Sequence, residues 1–185
     1  EKDEFEKTLQ ALKKRFLEIT SMKQRKDFES FYTQFMTLDR VSQKQVLSSP
    51  DKVGWTGIHY AVRDNEEWAI QPLLDNFAED ILSVQSDDGW TPLLLAVQNK
   101  NWEMLEELLK YATKANLEFI TSKGSVIHQI FKNADFRIVH YLIVNKEIDP
   151  SFKDKLDVPA ISLLKPEAQS HVKVLLKLRD VPPKP

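Results

Sequence analysis

The segment Gly54-Trp55-Thr56-Gly57-Ile58-His59-Tyr60-Ala61-Val62 returns 35 positions later as Gly89-Trp90-Thr91-Pro92-Leu93-Leu94-Leu95-Ala96-Val97. Each copy leads to a leucine pair, Leu73-Leu74 and Leu108-Leu109, again 35 apart. A fainter copy, Lys123-Gly124-Ser125-Val126-Ile127-His128-Gln129-Ile130, leads to Leu142-Ile143. A fourth runs from Leu156-Asp157-Val158-Pro159-Ala160-Ile161-Ser162-Leu163 to Leu175-Leu176, and the pairs keep phase with steps of 34 and 33 residues. A period in this range means one supersecondary unit stacked on copies of itself, because a lone unit cannot bury its apolar face and its neighbour supplies the core.

Such a stack must close its terminal apolar faces. The first fifty residues lack the turn signature but carry a helical period: Phe5, Leu9, Leu12, Phe16 and Ile19 lie on one stripe, and Phe28, Phe31, Tyr32, Phe35 and Met36 repeat at three and four. Phe35 and Leu38 precede Ile70 and Leu73 by 35, as Val46-Leu47-Ser48 precedes Ile81-Leu82-Ser83. Residues 1–50 therefore read as a helical pair, a degenerate repeat or cap, with four repeats over 51–180 and a Pro-rich tail at 181–185. The alternative for 1–50 is a separate adaptor-binding module.

The repeat resembles the ankyrin repeat, a Gly followed by Thr-Pro-Leu-His-x-Ala in a unit of β-turn plus two helices. The second copy matches best, with Asp88, Gly89, Thr91, Pro92, Leu93 and Ala96, then Asn99-Lys100-Asn101-Trp102-Glu103-Met104-Leu105 where the family has Asn-Gly-His-Leu-Glu-Ile-Val. The first keeps Thr56, His59 and Ala61 but has Gly57 for Pro; the third and fourth lack the Gly-x-Thr turn and are recognised by phase. The resemblance implies an all-α ankyrin-repeat solenoid with short β-turn fingers, closed by the helical pair. It also implies that His59 and His128 hydrogen-bond between neighbouring turns. Asp149-Pro150-Ser151-Phe152-Lys153-Asp154 with Ala160-Ile161-Ser162-Leu163-Leu164 resembles the closing repeat of ankyrin effectors that intracellular bacterial pathogens deliver into host cells.

Composition excludes several chemistries. No cysteine occurs, which removes disulfides, thiolate nucleophiles and thiolate metal sites. Four glycines, none in a phosphate-cradling motif, leave no cofactor loop. His59, His128, His140 and His171 show no i, i+4 pair for zinc, and no nucleophile elbow is present. The chain reads as non-enzymatic, without cofactor or metal. A net charge of −2 gives no attraction to nucleic acid. No apolar run approaches the roughly 18 to 20 residues that span a bilayer, and Glu1-Lys2-Asp3-Glu4 is the opposite of a signal peptide's opening. A cytoplasmic location is expected, or host cytoplasm after secretion. Glu1 in place of Met allows the chain to be a fragment.

Charge is unevenly spread. Residues 64–109 hold eleven acids against the single base Lys100, a balance of −10, while residues 1–63 sum to +3 and residues 110–185 to +5. This acidic waist suits solvated helix faces, or a partner protein with a basic segment, whose encounter it would steer. Trp55 and Trp90 follow the turn glycines, Trp102 takes an apolar core position, and Trp68 is expected to be partly exposed; Trp55, Trp68 and Trp90 are candidate partner contacts. In the ankyrin family partners lie in the concave groove. By position that groove takes Tyr60 and Arg63, Leu95 and Gln98, and Gln129 and Lys132, with an exposed Leu95 beside Trp90 as apolar centre and Asp87 and Asp88 as rim. The functional expectation is a monomeric interaction scaffold for another protein. Alternatives are the substrate-recruiting part of a larger enzyme, and an adaptor that docks through its amino-terminal helices.

Overall fold

The computed structural model describes residues 1–133 and 136–180, so the Pro-rich tail expected at 181–185 lies outside the described residues. Two compact units emerge, Glu1–Tyr111 and Ala112–Pro185. The first opens with α1 (Lys2–Ser21) and α2 (Arg25–Met36), which correspond to the expected pair, and continues with a short α3 (Arg40–Ser48). Asp39 starts α3, its carboxylate accepting from the Ser42 amide at 2.9 Å, as an N-cap does. The apolar stripes decide what is buried: Leu9, Leu12, Phe16 and Ile19 of α1 and Phe28, Phe31 and Phe35 of α2 lie in the core, while Phe5 and Met36 are 46% and 44% exposed.

Next come α4 (Gly57–Arg63) and α5 (Glu67–Leu82), then α6 (Pro92–Gln98) and α7 (Trp102–Tyr111). Helix α1 packs on α4 and α4 on α6, forming an inner layer; α2 and α3 pack on α5 and α5 on α7, forming an outer one. The amino-terminal helices thus cover the first repeat in both layers. Their outer seam is aromatic and ionic: Phe35 meets Phe77 edge-on with ring centroids 5.1 Å apart, and Arg40 lies 4.7 Å over the Phe77 ring while pairing with Asp80 at 2.5 Å. Helix α5 contains Pro72 and breaks at the non-helical Phe77 (φ −132°, ψ 25°). The same break recurs 35 positions on, after α7.

The second unit contains α8 (Lys114–Glu118), the hairpin of β1 (Ile120–Thr121) and β2 (Gly124–Ser125), α9 (Val126–Asn133), α10 (Phe136–Asn145), a 3-10 turn at Ala160–Leu163 and α11 (Pro166–Arg179). The strands are antiparallel, with Ile120 opposite Ser125 and Thr121 opposite Gly124. The first helix of the fourth repeat is reduced to that single 3-10 turn.

The finger turns explain the glycines. Gly54, Gly89 and Gly124 sit at φ 84°, 91° and 99°, a left-handed conformation that costs a glycine nothing. The third copy therefore keeps its turn, with Ser125 in the threonine position directly after Gly124, and in the fourth Asp157 takes φ 63°, which aspartate tolerates better than most residues. Side-chain oxygens close the fingers: Asp51 accepts from the Val53 and Trp55 amides at 3.0 Å, and Asp154 from Leu156 and Val158 at 2.9 and 3.0 Å.

Two histidines each fasten the next finger to the first helix of their own repeat, His59 the second finger and His128 the fourth. His59 Nδ1 accepts from the Thr56 amide at 3.2 Å, so Nε2 carries the proton and donates to the Trp90 carbonyl at 2.7 Å. His128 repeats the arrangement between Ser125 at 2.7 Å and the Val158 carbonyl at 2.6 Å. Both rings are buried, and burial holds the His59 pKa below its ordinary value. The paired apolar positions Leu73-Leu74, Leu108-Leu109 and Leu142-Ile143 are fully buried, whereas Leu175 and Leu176 on α11 are half-buried.

Candidate functional site

Helix α4 is two turns long and begins directly after the finger, so it holds Trp55, Tyr60 and Arg63 within reach of one another. The Arg63 guanidinium lies 4.9 Å over the Tyr60 ring and 5.9 Å from the Trp55 centroid, and the two rings are 5.4 Å apart. Two hydrogen bonds to Asp64, at 3.0 and 2.9 Å, fix the fork. The Tyr60 hydroxyl donates to Asp51, the carboxylate that closes the finger. Burial, with that carboxylate beside it, pushes the phenol pKa up to about 12. The cluster is half-exposed, with Arg63 the most open member. It can offer a cation, a flat aromatic surface and an acid rim.

Asp87 and Asp88 stand exposed on the second finger, whose Asp87 amide donates to the Gly54 carbonyl at 3.2 Å. Asp88 accepts from the Ser86 hydroxyl at 2.5 Å. Trp90 is half-buried and offers its carbonyl to His59, and Gln98 is exposed at the end of α6. The expectation for Leu95 fails: it is 4% exposed. Pro92 to Val97 are all buried, because α6 is only two turns long and packs on α4, α5 and α7, which leaves no free face before Gln98. Leu95 belongs to the core. Trp102, expected in the core, is half-buried.

In the second unit, Gln129 is half-buried against its own finger, donating to the Lys123 carbonyl at 3.3 Å, and Lys132 is exposed on α9. Trp68 lies on α5, in the outer layer, edge-on to Phe28 with centroids 5.6 Å apart, so it is not part of the inner cluster.

Two features escape sequence reading. Asp51 organises both its finger and Tyr60, and only its position before a turn hinted at that. Glu66 is 2% exposed, with neither carboxylate oxygen hydrogen-bonded. Burial, with Asp64 beside it, pushes its pKa up to about 8, against the opposing pull of Lys23 and Arg63. It occupies the position of Asn101 in the next copy, a polar position in a loop that carries no sign of burial.

Among the described residues, no group of three or more His, Asp or Glu side chains is placed to hold a metal ion, and no helix is long and apolar enough to cross a membrane. A family model described as ankyrin repeats (3 copies) matches residues 38–120 and 58–154. The chain belongs to the ankyrin-repeat family. Among curated proteins none matches it significantly. Ankyrin repeats are typically non-catalytic modules for protein–protein interaction, and the stacked helix pairs, turn glycines and bridging histidines are this family's means of presenting a surface.

Proposed function

We propose that this ankyrin-repeat chain is a non-enzymatic scaffold that binds another protein through the fingers and inner helices of its first unit. The observation that carries this reading is the Trp55–Tyr60–Arg63 stack. Tryptophan, tyrosine and arginine dominate interface hot spots, and here all three are held in place before any partner arrives, by Asp51 and Asp64. Pre-organisation lowers the entropy lost on binding. Trp90 and Gln98 extend the surface, and Asp87 and Asp88 give it an acidic rim suited to a basic partner segment. In the second unit Gln129 and Lys132 are the corresponding positions.

Affinity capture from cell lysate with wild type, Arg63→Ala, Tyr60→Ala and, on α3, Lys44→Ala tests the reading. A partner lost with the first two variants and kept with Lys44→Ala supports it; a partner kept by all four removes it. The likeness of Asp149 to Asp154 and Ala160 to Leu164 to closing repeats of pathogen effectors supports a host protein as that partner and host cytoplasm as the place of action. A translocation reporter fused to the chain in an intracellular bacterium tests that part.

A further inference from the structure

The outer layer of the first unit carries a surface that the inner-face reading does not use. Between α2 and α5 lies a cleft of about 540 Å³ whose floor is Phe28, Trp68 and Pro72. Trp68 is only half-buried, although it stacks edge-on to Phe28. Pro72 has no amide to give the Trp68 carbonyl four residues before it. A second cleft of about 400 Å³ runs between α5 and α7, and the two share Glu67 and Gln71. They form one track across three helices.

The track has a consistent sign. Among the described residues, Glu29, Glu67 and Asp75 border the first cleft with Arg25 as its one cation, and Glu103, Glu106 and Glu107 border the second with no base. Glu103 lies three and four residues from Glu106 and Glu107 on α7, an arrangement whose like charges repel. Lys110 reaches Glu107 at 2.7 Å, and the Tyr111 hydroxyl donates to Asp75 at 2.8 Å. Glu67, Glu103 and Glu106 form no ion pair among the described residues. By contrast Asp64 and Asp80 are each paired with an arginine. Unneutralised acids beside a half-open tryptophan match a partner whose charge is positive and whose centre is apolar.

We propose that this track, floored by Phe28, Trp68 and Pro72 and edged by Glu67, Glu103 and Glu106, docks a basic amphipathic segment of another protein. An apolar side chain of that segment rests on Trp68, and its lysines or arginines lie on the α5 and α7 carboxylates. Helices laid into grooves bind in this way. The inner-face site uses none of these residues, so the two surfaces stand or fall separately.

Fluorescence anisotropy with a labelled amphipathic helix of lysines and leucines, and with its glutamate-for-lysine counterpart, tests the proposal on the whole chain. The lysine peptide is expected to bind, to weaken as salt rises, and to lose at least about tenfold in affinity in the double variant Glu67→Gln/Glu106→Gln. Asp3→Asn/Glu4→Gln changes the net charge equally but lies in the exposed first turn of α1, outside both surfaces, and is expected to bind as wild type does. Trp68→Phe keeps a ring on Phe28 and separates loss of the anchor from loss of fold. Equal weakening in both charge-matched doubles would mean diffuse attraction and overturn the proposal. So would equal binding of the two peptides, or sedimentation showing that the face is already covered by a second copy of the chain.

Discussion

The ring of Phe16 fills the space where a side chain on Gly57 would stand: a Cβ there would lie 2.5 Å from the nearest ring carbon. This contact explains why the first copy departs from the family pattern, which has proline at that position. The amino-terminal helix presses an aromatic side chain against the start of α4, and only a residue without a side chain admits it.

Gly57→Ala should therefore destabilise the protein by about 1–3 kcal/mol through overpacking, although alanine is the better helix former. Gly57→Pro, the family's own residue, should do no better. Adding Phe16→Leu should recover part of the loss, because contacting residues couple. Denaturant melts of the two singles and the double measure the coupling energy; additive effects would show that the contact does not hold the cap.

Residues 1–40 cover the first repeat in both layers. Removing them uncovers Phe77, which meets Phe35, and the start of α4, against which Phe16 packs, so the truncated protein should aggregate or melt far below the parent. Within the cap, Phe31→Ala alone should cost about 3–5 kcal/mol, since its ring is fully buried between Phe16 and Phe35. A truncated chain that stays monomeric with an unchanged melting temperature would instead mark residues 1–40 as an independent module.

The periodic part of this structure was legible. Glycines 35 apart are turn glycines, the histidine of the motif bridges fingers, and the leucine pairs are core, because each follows from a local constraint repeated in phase. Leu95 misled because periodicity places a residue on a face without saying how short the helix is or how closely its neighbours pack. Asp157 hid the fourth turn because aspartate replaces glycine at a left-handed position. The outer track was legible only in pieces. Trp68 stands out as a partly exposed candidate contact and the acids allow a basic partner, but the floor joins Phe28 and Trp68 from segments outside one repeat, so no period brings them together.

On the inner face, Trp90→Ala should weaken partner binding by about 2 kcal/mol if the ring is an anchor, with a melting curve taken alongside because the residue also orients its finger. Leu95→Ala serves a different purpose. It should cost about 2–5 kcal/mol of stability as a core cavity and leave affinity per folded molecule unchanged. A large affinity loss with intact stability for Leu95→Ala would contradict its burial.

Glu66 and His59 make stability depend on pH in opposite directions. The Glu66 carboxyl, buried without a hydrogen bond and facing Asp64, Lys23 and Arg63, has a folded pKa of about 8 against an ordinary 4.5. The folded protein keeps a proton that the unfolded chain releases, so this group's contribution is complete below about pH 4.5 and is lost as pH rises toward 8. His59 is held neutral by burial, with its pKa below 6.5; its contribution is complete above that value and is lost as pH falls. Glu66→Gln removes the first effect and leaves the second. The variant should match wild type near pH 4.5, melt higher than wild type at pH 8, and retain the acid-side loss that His59 produces. Thermal melts from pH 4 to 9 decide it: a constant difference between the two proteins across that range would show that Glu66 is ionised throughout, and that a cation or solvent satisfies it in the folded state.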